Sequence, residues 1–249
     1  MSSRQAVSNH LLTLLPAPLH TALQPHFEWV DLKVGQVLHA PGKVLSHVYF
    51  PTTAIVSWMY FLENGDSTEI AMTGREGMVG LYLLLGSTST HNQAVVQTAG
   101  SAIRIRLSAV LNSFNDDTAV QRILLQFTQA LFAQMGQATV CKKHHHTEEQ
   151  LCRFLLSILD RHDNHNLQMT HEWMSHLLGV RREAVSLAAA KLMKQGLIRY
   201  SRGHIHILDR QGLEERACEC YGVVQKQYQN LLNWPVEHAP VALEAHAEL

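Results

Sequence analysis

Three neighbouring charged residues in the stretch "LLGVRREAVS", residues 177–186, have side chains that can recognise DNA bases. An arginine can donate two hydrogen bonds to O6 and N7 of guanine, and a glutamate can accept one from N4 of cytosine. Arg181, Arg182 and Glu183 come just after Gly179, with apolar residues on both sides. The alternative is the solvated end of an ordinary helix, so the surrounding elements must decide.

Those elements follow the order of a winged helix-turn-helix. "MTHEWMSHLLG" predicts a short helix with Thr170 as its N-cap, and Gly179 supplies the turn. "RREAVSLAAAKLMKQG" predicts a second helix that ends at Gly196, and "LIRYSRGHIHIL" predicts a β-hairpin around "SRG". The first turn of the second helix is the part that reaches base edges in such proteins.

The second helix divides into an inward and an outward face. Ala184, Val185, Ala188, Leu192 and Met193 are predicted to face the core. Residues 168–210 carry a net charge of +4, whereas the whole chain carries −1, so positive charge is concentrated where phosphates would bind. The predicted DNA-contacting residues are Thr170, Arg181, Arg182, Glu183, Ser186, Lys191, Arg202 and His204.

The predicted fold class of the whole chain is α+β. Residues 8–24 look helical in two pieces split at "PAP", and short β-type runs follow from Phe27 to about Leu107, with "ENGD" as a strong hairpin signal. This spacing predicts a jelly-roll or β-roll. A helix from Asp116 to about Lys143 has more apolar surface than one stripe needs, which favours pairing with a second copy, packing on the barrel, or both.

The predicted domains are therefore a sensor-like unit at 1–115, a dimerisation helix at 116–143, a winged helix-turn-helix at 144–210 and a helical extension with a tail at 211–249. Thr147 and Gln150 have the spacing of a capping box that would start the third unit. "RHDNHN" is predicted to be a polar loop, residues 211–232 to be helical, and "APVALEAHAEL" to be a loose tail.

The chain resembles the Crp/Fnr transcription regulators over about residues 10–210. The resemblance is most specific in "MTHEWMSHLLGVRREAVSLAAAKLMKQGLI" and the following "RYSRGHIHIL", and it continues in residues 37–50 and in "GREGMVG" at 74–80. It implies a homodimer joined along the long helix, an N-terminal effector-sensing β-roll, double-stranded DNA as ligand and RNA polymerase as partner. It also implies that Arg182 and Glu183 read bases. Leu187 replaces a residue that is often arginine in the cAMP receptor branch, so the operator is expected to differ.

The same resemblance argues against cyclic-nucleotide binding by the usual route. The position of the ribose-binding glutamate is Leu81, and the positions of the phosphate-binding Arg-Ser pair are Asn92 and Gln93. A buried phosphate without a cation would be poorly compensated. The N-terminal half has no cysteine, which excludes a cluster of the Fnr type there. We expect no cofactor, and the sequence leaves the effector unknown.

A second group of candidate residues lies at the joint before the helix-turn-helix. Cys141, His144, His145 and His146 have side chains that suit zinc or copper, which makes a metal- or redox-responsive regulator the alternative function. A polar hinge without metal is the simpler interpretation and the one we adopt. Cys152 lies on an apolar helix face and is expected to be inert core, and the pair Cys218 and Cys220 is too sparse to form a structural site alone.

Composition and motifs exclude other classes. No apolar run reaches the ~18–20 residues that cross a bilayer, and the first residues lack the pattern of a signal peptide, so we expect a cytoplasmic protein with no membrane partner. No nucleophile elbow, P-loop or dinucleotide fingerprint is present, and the histidines and glutamate that a metal-dependent cupin would need are scattered, at His39, His47, Glu69 and His91. We therefore expect no enzyme.

Overall fold

The computed structural model describes residues 9–87 and 89–232. The predicted tail at 239–249 lies outside the described residues. Two short helices begin the described chain, α1 at His10–Thr13 and α2 at Ala17–Leu23, and a 3-10 turn at Gln24–His26 follows. The predicted split at "PAP" is confirmed. The buried amide of Asn9 holds this segment in place by donating to the carbonyl oxygens of Pro51 and Gly77, each at 2.8 Å.

Seven strands form the predicted β-roll. They are β1 at Glu28–Leu32, β2 at Val37–His39, β3 at His47–Pro51, β4 at Ile55–Phe61, β5 at Ser67–Thr73, β6 at Gln93–Thr98 and β7 at Gly100–Arg106. One antiparallel sheet has the order β1-β7-β3 and the other has the order β2-β6-β4-β5. The "ENGD" hairpin is confirmed, because β4 pairs with β5 across Gly65, whose φ is +89°.

Three helices follow strands of the roll. A short helix α3 spans Leu81–Leu84, α4 spans Leu107–Asp116, and α5 spans the 27 residues Thr118–His144. No sequence pattern predicts α4, and the predicted start of α5 lies two residues before the observed one. Asp117 caps α5 by accepting hydrogen bonds from the amides of Ala119 and Val120 at 2.7 and 3.2 Å.

Helix α5 has one buried and one exposed apolar face. The buried face, which includes Ile123, Phe127 and Leu131, packs in the same core as residues of the β-roll. On the other face Leu125 is 54% exposed, Phe132 62% and Val140 46%. The predicted contact with the barrel is therefore present, and a second apolar surface stays open.

The remaining elements confirm the winged helix-turn-helix. They are α6 at Thr147–Leu159, β8 at Asn166–Gln168, α7 at His171–Leu178, α8 at Arg182–Lys194, β9 at Ile198–Ser201 and β10 at His204–Ile207. The sheet order is β8-β10-β9, so the wing has a third strand that begins inside the predicted "RHDNHN" loop. The predicted capping box was wrong by one residue: His146 is the N-cap, and its amide donates to Glu149 Oε2 at 2.8 Å.

The chain then turns back onto the long helix. Helix α9 spans Arg210–Arg216 and α10 spans Cys220–Leu232, so the helical segment predicted after residue 211 consists of two helices. Val224, Tyr228 and Leu231 of α10 join the core that contains Phe127 and Leu131 of α5. In the described part of the chain, no helix combines the length and apolar character needed to cross a membrane.

Candidate nucleic-acid interface

The turn between α7 and α8 depends on a residue at each end of α7. Thr170 caps α7, as predicted, because its hydroxyl accepts a hydrogen bond from the amide of Trp173 at 3.1 Å. Gly179 ends α7 with φ +67°, in the left-handed region that favours glycine. A Cβ at this position would also approach Thr68 Oγ1 of the β-roll to 2.8 Å. The turn therefore needs glycine for its backbone conformation and for its close approach to β5.

Helix α8 buries one face and exposes the other. Val185, Ala188 and Leu192 are buried as predicted. Met193 is 37% exposed, so its predicted place in the core was wrong, and Ala189 is buried in its stead. The burial of Ala189 follows from helical geometry, since Ala189 lies one turn after Val185 on the same face. Glu183, Leu187, Ala190 and Lys194 step by three or four residues along the exposed face.

The start of α8 presents positive charge and a helix terminus together. Arg181 is the N-cap residue, and its side chain makes no capping hydrogen bond. Arg181, Arg182 and Glu183 are all exposed. Among the residues that the structure describes, neither arginine forms an ion pair with a carboxylate. An uncapped helix N-terminus with two free guanidinium groups is a suitable site for a phosphate group and an adjacent base.

Ser186 lies in a setting that the sequence did not indicate. Its hydroxyl donates to the carbonyl oxygen of Arg182 at 3.1 Å and lies 2.9 Å from Nδ1 of His171. The His171 ring stacks on Tyr200, with 4.1 Å between ring centroids. Burial, and secondly the charge of Arg182, lowers the pKa of His171. Ser186 thus connects α8 with α7 and the wing.

The wing is a tight two-residue hairpin. Arg202 and Gly203 have φ values of +47° and +81°, as a type I′ turn requires, and Ser201 pairs with His204 across it. The amide of Met169 donates to the carbonyl oxygen of Gly203 at 2.6 Å, which ties the hairpin tip to the start of α7. Arg202 and His204 are both exposed. The turn therefore presents a guanidinium group at the edge of the domain.

Two cations counted in the local charge excess are neutralised within the protein. Lys191, 67% exposed, lies 3.3 Å from Glu148 at the start of α6. Arg210 forms ion pairs with Asp160 at 2.5 Å and with Glu214 at 2.8 Å. The other five cations form no ion pair with a described residue and contribute the free positive charge: Arg181, Arg182, Lys194, Arg199 and Arg202.

Buried polar contacts join the β-roll to the helix-turn-helix. Arg161, two residues after α6, donates from Nε to Glu76 Oε1 at 2.6 Å, and its guanidinium lies 5.3 Å from the ring centre of Tyr228 in α10. Ser67 Oγ of β5 lies 3.1 Å from His176 Nδ1 of α7. These contacts could not be predicted from the sequence, because no local pattern connects the residues.

The positions that the resemblance assigns to nucleotide binding carry neutral side chains. Leu81 is buried in α3, directly after Gly80, whose φ is +106°. Asn92 is also buried, and its Oδ1 lies 3.0 Å from Nε2 of His39. Burial lowers the pKa of His39, so this histidine favours its neutral form. Gln93 begins β6.

The cysteine and histidine candidates separate into two sets. The structure brings Cys141 and His145 together with Cys218 and Cys220, whereas His144 and His146 are exposed and outside this group. Two spacings in the sequence could have indicated this four-residue group: Cys-x-x-x-His at 141–145 and Cys-x-Cys at 218–220. Cys152 is buried in apolar core, as predicted, and burial raises its pKa to about 12. In the described ranges, His39, His47, Glu69 and His91 form no group of metal-binding size.

Comparison with known proteins confirms the resemblance inferred from the sequence. Residues 149–216 match the family model of the Crp-like helix-turn-helix domain. No curated protein sequence matches the chain. Among solved structures, a transcriptional regulator of the Crp/Fnr family from Eubacterium rectale has 17% identity and a TM-score of 0.65, with 83% of this chain and 96% of that chain covered.

Two further structures agree. FixK2 from Bradyrhizobium japonicum has 19% identity and a TM-score of 0.66, with 77% of this chain and 98% of that chain covered. A Crp/Fnr-family transcriptional regulator from Thermus thermophilus has 23% identity and a TM-score of 0.62, with 76% of this chain and 98% of that chain covered. At these identities the likeness establishes the fold, a β-roll joined by a long helix to a winged helix-turn-helix.

Proposed function

We propose, from the premise that residues 149–216 are a Crp-like helix-turn-helix domain within a Crp/Fnr-type fold, that this protein is a transcription regulator that binds specific double-stranded DNA as a homodimer. It is not an enzyme in this proposal. RNA polymerase stays an expected partner, by the same resemblance.

The observation that carries the proposal is the first turn of α8. Arg181 and Arg182 are exposed beside an uncapped helix N-terminus, and within the described residues no carboxylate neutralises them. Two uncompensated guanidinium groups at this position are well placed to bind phosphate or guanine. In our assignment, Arg182 and Glu183 contact bases, and Arg181, Thr170, Arg202 and His204 contact the backbone. Ser186 orients α8 through its contact with His171. Lys191 contacts the DNA backbone only after its ion pair with Glu148 is broken.

The dimer in this proposal forms along α5. Its support is the exposed apolar stripe of Leu125, Phe132 and Val140, which recurs every seven or eight residues as a two-helix seam does. Two helix-turn-helix units related by a two-fold axis can contact half-sites ~34 Å apart, one turn of DNA.

The β-roll is the sensor in this proposal, and its effector is not a cyclic nucleotide bound in the usual way. Support comes from the neutral side chains of Leu81, Asn92 and Gln93. A ligand that moves β5 or the turn at Glu76 would move the helix-turn-helix, because Ser67 contacts α7 and Glu76 contacts Arg161, just after α6.

Selection of bound sequences from random double-stranded DNA tests the function. We expect a palindromic consensus, bound specifically by the wild type in a mobility-shift assay. Arg182→Ala should weaken binding to the consensus by about 1–3 kcal/mol and weaken binding to random DNA much less. Arg106→Ala, which removes an exposed arginine of β7, is the matched control and should leave both affinities unchanged. Recovery of no consensus, or an equal loss on both DNAs with Arg182→Ala, would contradict the proposal.

Titration calorimetry with cAMP and cGMP tests the sensor assignment. We expect no heat of binding in the wild type. Saturable binding of either nucleotide with one site per chain would overturn this part while leaving DNA recognition intact.

A further inference from the structure

Four side chains from distant parts of the chain converge at the joint between the long helix and the helix-turn-helix. Cys141 lies in the last turns of α5, His145 follows the end of α5, Cys218 precedes α10, and Cys220 begins it. The three sulfur atoms and a ring nitrogen of His145 all lie within 4.8 Å of one another. The three cysteines are buried.

Two distances within this group match the edges of a metal-centred tetrahedron. Zinc binds thiolate sulfur at about 2.3 Å and imidazole nitrogen at about 2.0–2.1 Å, so neighbouring ligand atoms are roughly 3.5–3.8 Å apart. Here Cys141 Sγ lies 3.5 Å from Cys218 Sγ, and Cys220 Sγ lies 3.6 Å from Nδ1 of His145. Two of the six distances between ligand atoms thus have the length that one ion requires, and the other four are at most 4.8 Å.

The surroundings also suit a metal site. His145 presents Nδ1 to the cluster, and its other nitrogen, Nε2, lies 3.2 Å from Glu219 Oε2. A carboxylate on the far nitrogen is the usual means of orienting a metal-binding histidine. Three thiolates and Zn²⁺ would leave one negative charge, which Arg153 can balance: its charge acts on Cys141, and its Nε is buried without a hydrogen-bond partner among the described residues.

We propose that Cys141, His145, Cys218 and Cys220 bind one zinc ion in a closed, four-coordinate structural site. With all four positions supplied by the protein, such a site supports folding and leaves no open position for a substrate. It is distinct from a metal sensor, and it does not depend on the proposed DNA-binding function.

Other uses of these residues explain the arrangement less well. A disulfide between Cys141 and Cys218 would leave Cys220 and His145 without a role. An iron–sulfur cluster needs space for several iron and sulfide atoms between its ligands, whereas these four ligand atoms all lie within 4.8 Å of one another.

The position of the site indicates what the ion would do. Cys218 and Cys220 lie just after the residues that match the helix-turn-helix domain, and they are separated from Cys141 by more than 70 residues. A zinc ion would fasten the start of α10 to the end of α5, and so hold Val224, Tyr228 and Leu231 against the long helix.

Metal analysis of the full chain, purified without an affinity tag, tests the proposal. By elemental mass spectrometry we expect about one zinc per chain. Cys218→Ser, Cys220→Ser and His145→Ala should lose it, whereas His144→Ala and Cys152→Ala, the matched controls, should keep it. His145→Cys supplies a replacement ligand and should restore zinc. Glu219→Ala should lower zinc affinity roughly 10- to 100-fold.

A second measurement keeps the test valid if a ligand variant misfolds. Wild-type protein in which cobalt replaces zinc should show the visible absorption of tetrahedral, thiolate-bound Co²⁺. The absence of bound zinc in wild type, the presence of iron with sulfide, a native Cys141–Cys218 disulfide, or equal loss of zinc in the control variants would each overturn the proposal. None of these readouts involves DNA, so failure here is distinguishable from failure of DNA binding.

Discussion

Arg161 Nε donates to Glu76 Oε1 at 2.6 Å, and both side chains are more than nine-tenths buried where the β-roll meets the helix-turn-helix. Glu76 also accepts from the amide of Gly74, and Arg161 also donates to the carbonyl oxygen of Ser157 at 2.8 Å. Both charges are thus compensated by protein groups, so loss of one partner leaves the other buried and unpaired.

Glu76→Ala should therefore destabilise the protein by about 3–5 kcal/mol, measured by denaturant unfolding. Replacing both partners, as Glu76→Leu with Arg161→Met, should recover most of that loss. Asp163→Ala removes the partner of Arg75 in an exposed ion pair and should have a much smaller effect. A loss as small as that of Asp163→Ala would show that the buried pair is unimportant for stability.

Gly179→Ala should destabilise the fold more than Gly196→Ala. Both glycines end a helix with positive φ, at +67° and +76°, so both substitutions have a backbone cost of about 1 kcal/mol. Only at Gly179 would the new methyl group also meet a neighbour, Thr68 Oγ1 at 2.8 Å. Thermal unfolding of the two variants checks this order, and equal shifts would exclude a tight approach of the turn to β5.

The contribution of Glu69 to stability should fall as pH rises from about 4.5 to about 7, in opposition to His39 and His171, whose lowered pKa values add stability with rising pH up to about 6.5. Burial raises the pKa of Glu69 from 4.5 to about 7, although Ser57, Lys142, Arg153 and Arg161 partly offset it. In this range Glu69 keeps in the folded state a proton that it has lost in the unfolded state, so its contribution to the unfolding free energy decreases with pH, by at most about 3 kcal/mol.

Glu69→Gln should remove this contribution from the pH profile. Burial lowers the pKa of Lys142 to about 8, and this group acts in a separate range: it raises stability with pH between about 8 and 10.5. Chemical denaturation at a series of pH values measures both ranges. An unchanged profile for Glu69→Gln below pH 7 would show that Glu69 is ionised in the folded protein.

Phe132→Glu should convert a dimer into a monomer. The substitution places a charge in the middle of the exposed apolar stripe of α5, where pairing would have to bury it. Light scattering after size-exclusion chromatography gives the mass. Val44→Glu, which alters an exposed apolar residue of the β-roll, should leave the mass unchanged. A monomeric wild type, or a dimeric Phe132→Glu variant, would contradict pairing through this stripe.

Arg202→Ala should lower DNA affinity almost equally for all sequences. Its guanidinium lies at the tip of the wing, where it would meet phosphate and not base edges. The slope of log affinity against log salt should decrease by about one. A loss confined to one base position of the consensus would instead assign Arg202 to base recognition.

Local patterns in the sequence determined much of the fold and of the candidate interface. Thr170 as a helix cap, Gly179 as a turn and the "SRG" hairpin each depend on contacts within four residues, so composition and spacing suffice to predict them. The exposed Arg181, Arg182 and Glu183 follow from the same local reasoning, because one face of α8 must be buried. The sequence did not predict α4. It also predicted Met193 in the core, where the structure buries Ala189, because tertiary contacts decide which residues at the edge of an apolar face are buried.

Tertiary structure alone decided which distant side chains meet. Glu76 and Arg161 are 85 residues apart, and Cys141 and Cys218 are 77 residues apart. No periodicity spans such distances, because these contacts exist only after the β-roll, α5 and α10 have packed together and closed the intervening loops. For the same reason the sequence could identify Cys141 and His145 as candidates but could not supply their partners. The packing of α10 against α5 places Cys218 and Cys220 beside Cys141 and His145, whereas His144 and His146 are exposed to solvent.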